Sequence, residues 1–552
     1  MNARRVIVSM LLLTCGFAAG LVMTGRMRQA DEVAAQPAAA ATPKDALVIA
    51  WNLDALITLD PAQIGEVNGN DIMINVCNRL VQPNIKDVAK IEPQLAESWS
   101  TSADGLTLTF KMRKDLTFPS GKPATAHDAA WSLKRAIHLN FGNAANLKEW
   151  GFTSEKVDEQ IVAVDDLTLQ LKLDKPYPVG LLLSSVFSSN VSSVLNKETG
   201  EKNAKVTDGK SDHGNGWFKT QSDCVGPYRV RTWNANDVVI LEANDNYFGT
   251  KPGLKRVIIR HVPESGAQRL QLEKGDIDVG RLLSSDDLKA LAANKDMHVE
   301  QTVMHGYSYF AFNVADPILS NPKVRLAFRY LVDYEGLEKT VMAFQGKARN
   351  SLVPTGAFGA LNEKDGLPFK LDLDMAKKLL TEAGYPNGFS KKYILSANTF
   401  NPAVAQHVQA NAAKVGIKLD LEQMADANLF SKMRAREFEI GQIGWGAGYP
   451  DAHSMISRHA YNPDNRIESK LAQYPSWRSA WFDEAINKKT DTAMMEKDPA
   501  KRIVLYKEIQ EHMLANGPMA YMFQTVRPIA IRKDVKNFQI GPFKVDYASA
   551  SK

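Results

Sequence analysis

The stretch Asp104-Gly105-Leu106-Thr107-Leu108-Thr109-Phe110-Lys111-Met112-Arg113 alternates apolar and polar residues from Leu106 to Met112 without a break. That period of two belongs to a strand with one face buried and the other in water. Leu167-Thr168-Leu169-Gln170-Leu171-Lys172-Leu173 repeats the pattern. Between them, Thr125-Ala126-His127-Asp128 has the spacing of a capping box and opens a helix with Ala130, Leu133 and Ile137 on one face.

Working outward, Ala46-Leu47-Val48-Ile49-Ala50-Trp51 is apolar throughout and reads as a fully buried strand, followed by the turn Leu59-Asp60-Pro61. Further strands are predicted at Gly226 to Val230, Val238 to Leu241, Val257 to Ile259 and Asp276 to Val279, the last after a helix closed by Gly275. Helical spacing recurs at Val324, Phe328 and Leu331, from Asp374 to a stop at Gly384, and at Leu505, Ile509 and Met513. A C-terminal strand is predicted around Met519 to Phe523. Strands and helices mix along the whole chain, the pattern of an α/β or α+β protein with more than one lobe.

The chain has 552 residues, 44% hydrophobic and 23% charged, with 35 Gly and 25 Pro, which excludes disorder and collagen-like repeats. Its 67 basic and 62 acidic residues are evenly spread, and a nucleic-acid binder would show a basic stripe. The N-terminus differs from the rest. Arg4 and Arg5 precede an apolar run from Val6 to Met23, the pattern of a secretory signal and also near the lower limit for a membrane anchor. Arg26 and Arg28 follow it, and the Ala-rich segment from Ala34 to Ala41 reads as a cleavage region or a flexible tether. Residues 1–45 are therefore expected to be a signal peptide or N-terminal anchor plus tether, and the body to be exported. Without residues 1–30 the balance falls to 63 basic against 62 acidic residues. Cys77 and Cys224 remain after the leader, either as one disulfide or as two buried thiols.

Catalytic signatures are missing: the sequence has no Gly-x-Ser-x-Gly elbow, Walker loop, His-Glu-x-x-His helix or CxxC pair. Gly444-Trp445-Gly446-Ala447-Gly448 lacks a following helix pattern and is not read as a phosphate loop. His453 and His459 are poorly spaced to share a metal, and Asn244-Asp245-Asn246 reads as a turn rather than a calcium loop. No cofactor, metal site or catalytic residue is expected.

Ile91-Glu92-Pro93-Gln94-Leu95-Ala96-Glu97-Ser98-Trp99, the two stretches quoted first, Gly226-Pro227-Tyr228, Asn246-Tyr247-Phe248, Gly275-Asp276-Ile277-Asp278, Asn321 to Ala327, Ala376 to Tyr385 and Gly444-Trp445 together resemble, in order, the extracellular solute-binding proteins of peptide and nickel ABC importers (family 5, similar to oligopeptide- and dipeptide-binding proteins). The resemblance covers nearly all of the chain after Leu47. It implies an α/β, two-lobed periplasmic-binding-protein clamp with an extra N-lobe subdomain and a hinge between lobes. The N-terminal lobe would comprise residues 46–303 and 521–552, with 46–80, 184–303 and 521–552 as one subdomain and 81–183 as the inserted one. Residues 304–520 would form the second lobe, with crossings near Gln301 to His305 and Gly517 to Tyr521.

By the same resemblance the protein would be the non-enzymatic, monomeric, periplasmic receptor of an ABC importer. It would capture peptides or peptide-like solutes by lobe closure and hand them to an inner-membrane permease. The alternatives are a non-peptide solute (an opine, a glycoside or a metal chelate) or an exported hydrolase. The implied ligand contacts are backbone at Gly65, Glu66 and Val67 and at Gly444, Trp445 and Gly446, with Tyr307 and Tyr309 on one face of a strand after the first crossing. Gly448 stands where peptide binders place a carboxylate for the ligand's ammonium, and Gln442 where some place an arginine for its carboxylate. Glu66 or Asp451 would have to supply the missing anion, although Asp451 is also expected to fix a turn. A zwitterion clamp weakened at two places leaves room for a blocked peptide, an opine-like or sugar conjugate, or another amide-rich solute.

Overall fold

The computed structural model describes residues 42–397 and 400–552. The leader, its tether up to Ala41 and Cys15 lie outside the described residues.

Ala46–Trp51 is buried along its whole length because it pairs on both edges, in parallel with Arg256–His261 and with Val279–Arg281. A strand covered on both faces has no use for polar alternation, which explains its unbroken apolar sequence. Val238–Ala243 and Tyr228–Asn234 extend one side antiparallel. On the other side come Met519–Arg532, Met297–Phe312, Ile440–Gly446, Ser390–Ser396 and Lys418–Met424. With Gly346–Ala348, which pairs on Met519–Arg532, they form one sheet of 11 strands. The predicted strand at Asp276 to Val279 begins only at Val279, because Asp278 is used as a buried acceptor. Its carboxylate takes the Val48 N–H at 2.7 Å and the Thr42 hydroxyl at 2.7 Å, and pairs with Lys552 at 2.7 Å.

A separate four-stranded sheet runs Ala96–Thr101, Thr107–Met112, Thr168–Lys172, Ile161–Asp165. As the alternation requires, Leu108, Phe110, Met112, Leu169 and Leu171 point into a buried cluster, while Lys111 is exposed. Helix Ala126–Leu139 covers that cluster, and its start is held by the predicted capping box between Thr125 and Asp128.

Met297–Phe312 and Met519–Arg532 are the long strands of the molecule, with 16 and 14 residues. One end of each packs with the sheet around Ala46–Trp51, and the other with Ile440–Gly446 and its neighbours. Their mutual pairing is regular from Met297↔Arg532 to Val303↔Val526, then breaks until Tyr307↔Gln524. The interruption is Met304-His305-Gly306, opposite Thr525. A smaller shift lies between Ser308 and Tyr309, opposite Phe523 and Tyr521. Buried clusters lie on both sides: Leu47, Tyr228, Ile259 and Ile529 on one, Phe310, Phe328, Tyr393 and Met522 on the other. The family's two-lobed α/β architecture is therefore present.

Cys77 and Cys224 form a disulfide, resolving the open alternative. Gly226 next to it can only be glycine, since a Cβ there would sit 2.0 Å from the Val76 carbonyl oxygen. The bond closes a loop with a sequence separation of 147, so its loss relaxes the unfolded chain more than the folded one. Cys77→Ser with Cys224→Ser should lower stability by about 2–4 kcal/mol, read as a drop in the denaturant midpoint. An unchanged midpoint would show that the bond does not constrain the unfolded chain.

Candidate functional site

The turn Leu59-Asp60-Pro61 is fixed by charge. Asp60 is fully buried and accepts two hydrogen bonds from the buried Arg135 guanidinium, at 2.9 and 2.5 Å, and one from the Asn215 amide at 2.7 Å. Arg135 comes from helix Ala126–Leu139, so the inserted sheet and the turn are locked together. Asn143 extends the lock by donating to the Pro61 and Ile64 carbonyls at 2.8 and 2.9 Å. The chain leaving this turn is Gly65-Glu66-Val67, where Glu66 is the N-cap residue of helix Val67–Met73.

Gly65, Glu66 and Val67 face a cavity of about 540 Å³. Its opposite wall is the interrupted strand segment, Met304-His305-Gly306, together with Gly446, Ala447 and Gly448. Gly306 pairs with Gly446, and the Ala447 N–H donates to the His305 carbonyl at 2.6 Å, which extends the ladder to the cavity edge. Arg79, Asn70, Asn190, Ser188 and Ser189 add polar groups to its lining, which also includes Thr525, Arg527 and Phe543. Burial pushes the His305 imidazole down to about 4, so it is neutral at neutral pH, and its ring meets Phe543 edge-on at 4.9 Å. Among the described residues, no group of three or more His, Cys, Asp or Glu is placed to hold a metal.

Gly65, Glu66, Val67, Gly446 and Gly448 are brought together around this cavity. Other expected contacts lie elsewhere. Tyr307 and Tyr309 do share a strand face, but that face is buried against helix His453–His459, and both are only 1% exposed. Trp445 stands opposite Tyr307 in the ladder and follows the same alternation, so its ring packs edge-on against His459 at 5.3 Å under Arg478. Gly444 pairs with Ser308 and does not line the cavity. Gln442 points to the other face, where its fully buried amide accepts from Tyr393 at 2.6 Å and donates to Asn401 at 2.9 Å. Asp451 lies in an adjoining cavity of about 490 Å³, where it caps the turn at His453 with a 2.9 Å bond and pairs with Arg502 at 3.1 Å. Strand alternation explains these departures: the cavity sits at the end of the strand pair, and the side chains above and below belong to two cores.

Arg79 and His305 were not singled out from the sequence. Arg79 carried a signal, an arginine inside the buried run Val76 to Val81, while His305 carried none beyond its place near an expected crossing.

Contacts also join segments far apart in the chain. Glu149 lies 3.7 Å from His453 and 3.3 Å from Arg458. Tyr449, next to the glycine-rich segment, is buried in the cluster of Leu80, Phe110 and Phe187.

The pattern describing "Bacterial extracellular solute-binding proteins, family 5 Middle" matches residues 90–466. The chain is 26% identical over 507 residues to the probable D,D-dipeptide-binding periplasmic protein DdpA of Escherichia coli (strain K12), covering 91% of this chain and 93% of that one. Among solved structures it is similar to HbpA2 from Haemophilus parasuis, with a TM-score of 0.76 and 24% identity over 92% of this chain and 99% of that one. It is also similar to MoaA from A. tumefacien R10 in complex with mannopinic acid, with a TM-score of 0.70 and 25% identity over 92% and 98%.

A Cβ added at Gly446 meets nothing within 4 Å, so space at this position belongs to the cavity and not to a packed neighbour. Gly446→Leu should therefore leave the unliganded melting temperature within about 2 °C, an effect of about 0.5 kcal/mol, while cutting solute affinity at least about tenfold. Unchanged affinity with a preserved fold would place the ligand elsewhere.

Proposed function

The chain belongs to the bacterial extracellular solute-binding proteins of family 5, and we propose that it is the periplasmic receptor of an ABC importer that takes up peptides or peptide-like solutes. The observation that carries this reading is the cavity at the interruption of the two long strands, walled by segments from both ends of the sheet. A solute touching both walls is bound more tightly when they are close, so it shifts the clamp toward closure by that difference in affinity. A permease then reads the closed form. Capture and release need no covalent step, and the receptor acts as a monomer without a cofactor.

We take residues 46–303 with 521–552 as one lobe and 304–520 as the other. The interrupted pairing supports a first crossing at Met304 to Gly306 and moves the second from Gly517–Tyr521 to Gln524–Val526, so residues 521–524 pass to the second lobe. Gly65, Glu66 and Val67 from one lobe and Gly446 and Gly448 from the other are the contacts we assign to the ligand. Exposed main chain at glycines suits recognition of amides without regard to side chains. The relatives' printed ligands, a D,D-dipeptide and mannopinic acid, frame the choice between a peptide and a non-peptide solute. The absence of a carboxylate at Gly448 and the full occupation of Gln442 favour a solute that is not a free zwitterion. The leader makes the receptor either free in the periplasm or tethered to the membrane.

Native mass spectrometry of the purified protein, paired with uptake by cells with and without the gene, tests the reading. A retained amide-bearing solute whose uptake needs the gene is the expected result, and turnover of that solute by the isolated protein would overturn it. The contact of Glu149 with His453 and Arg458, which joins the two lobes as we divide them, gives a second prediction. Glu149→Gln removes its acidic partner, so affinity should fall about fivefold, about 1 kcal/mol, through faster release. Calorimetry showing equal affinity would remove Glu149 from the closing contact.

A further inference from the structure

The cavity's polar side carries an imbalance of buried charge. Asp71 is 2% exposed and is the single carboxylate shared by two guanidiniums, Arg281 at 2.7 Å and Arg527 at 3.0 Å. Arg281 is stacked 3.8 Å above the Trp51 ring and does not line this cavity, whereas Arg527 does. Arg79 reaches the cavity too, at 4% exposure, and makes no ion pair among the described residues. Its Nη1 donates to the Ser188 carbonyl at 2.6 Å, and its Nη2 to the Asn70 and Asn190 side-chain oxygens, all neutral groups. Its Nε has no hydrogen-bond partner among the described residues. Burial pulls the Arg79 guanidinium down to about 10, the mark of a cation held without sufficient compensation.

Other nearby charges do not close the gap. Glu66, on the rim, is partly exposed; its carboxylate accepts the Gly65 N–H at 3.2 Å and forms no ion pair with either arginine. Lys544, behind Arg79, adds positive charge and is itself opposed by Asp546 and Glu92. Three guanidiniums thus face one buried carboxylate, and two of the three open on the cavity. A buried cation without a counter-ion is destabilising, and a charge-assisted bond to an oxyanion offsets that cost.

Resting on the receptor reading above, we propose that the Arg79–Arg527 end of this cavity is an oxyanion subsite, and that the solute enters with a net negative charge. The group it seats is a carboxylate or a phosphate, and the rest of the solute lies along Ser188, Ser189, Asn190 and the glycine wall. No buried carboxylate is offered to a free ammonium in this cavity, which makes an acid with a blocked or absent amine the fitting class.

Thermal melts of the full chain with matched probes test this. N-acetyl-Ala-Ala is compared with its C-terminal amide, gluconate with glucose, and inorganic phosphate is run alone. At least one acid should raise the melting temperature clearly more than its neutral match, with phosphate alone marking a phosphate-selective subsite. That shift should be lost in Arg79→Gln and in Arg527→Gln and be partly kept in Arg79→Lys. Arg527 is the safer position to change, since its side chain is 16% exposed. The subsite falls if no acid or phosphate shifts the melt, if each neutral match equals its acid, or if both glutamine variants respond fully. A peptide amide that binds as well as its acid overturns the subsite and leaves the receptor reading standing. Uptake independent of the gene overturns that reading whatever the acids do.

Discussion

Everything in this molecule hangs on the antiparallel pairing of Met297–Phe312 with Met519–Arg532. Each strand is long enough to belong to two cores, so the pair both joins the halves of the sheet and sets their register. A ladder of that length is stiff wherever its hydrogen bonds alternate regularly. At Met304-His305-Gly306 it does not, and there Gly306 is pinned in size because a Cβ would lie 2.8 Å from the Thr525 hydroxyl. The break in the ladder is also the cavity wall. On the receptor reading proposed above, a hinge and a binding wall would share these few residues, as a closing clamp requires.

Around that seam, buried polar groups do the positioning. Asp60 with Arg135 ties the first wall to the inserted sheet, and Asp451 with Arg502 holds the turn beyond the second wall. Such pairs contribute little net stability compared with apolar replacements, but removing one partner leaves a buried charge unpaired. Their effect is to place Gly65-Glu66-Val67 and Gly446-Ala447-Gly448 on opposite walls of the cavity. Asp71 follows a different logic, because it is short of what its arginines require, and the deficit faces the space a solute would fill.

Much of the fold was legible in the sequence because local periodicity and tertiary burial agree there. The alternation at Leu106 to Met112, the capping box at Thr125 and the unbroken apolar run at Ala46 to Trp51 each became the element their pattern demands. Local signals misplaced strand edges where a side chain has another task, as at Asp278, which accepts from Val48 instead of entering the ladder. For Cys77 and Cys224 the sequence left a disulfide and two buried thiols both open, since 147 positions separate them and only the fold brings them together.

The backbone around the cavity was legible in the sequence, and the side chains that line it were not. Gly65, Gly446 and Gly448 reached the cavity because the chain path is a property of the whole architecture. Trp445, Tyr307 and Tyr309 did not, because strand alternation sends neighbours to opposite faces, and the face these three share is covered by His459 and Tyr521. Trp445 is partly buried, with Arg478 5.5 Å from its ring centre and His459 edge-on at 5.3 Å, and it does not line the cavity. Arg79 shows the converse. Its one signal in the sequence was an arginine set in a run that proves buried, and its hydrogen-bond partners are all neutral. Buried charge that the protein leaves uncompensated is therefore a better guide to this cavity's ligand than the aromatic residues that first draw attention.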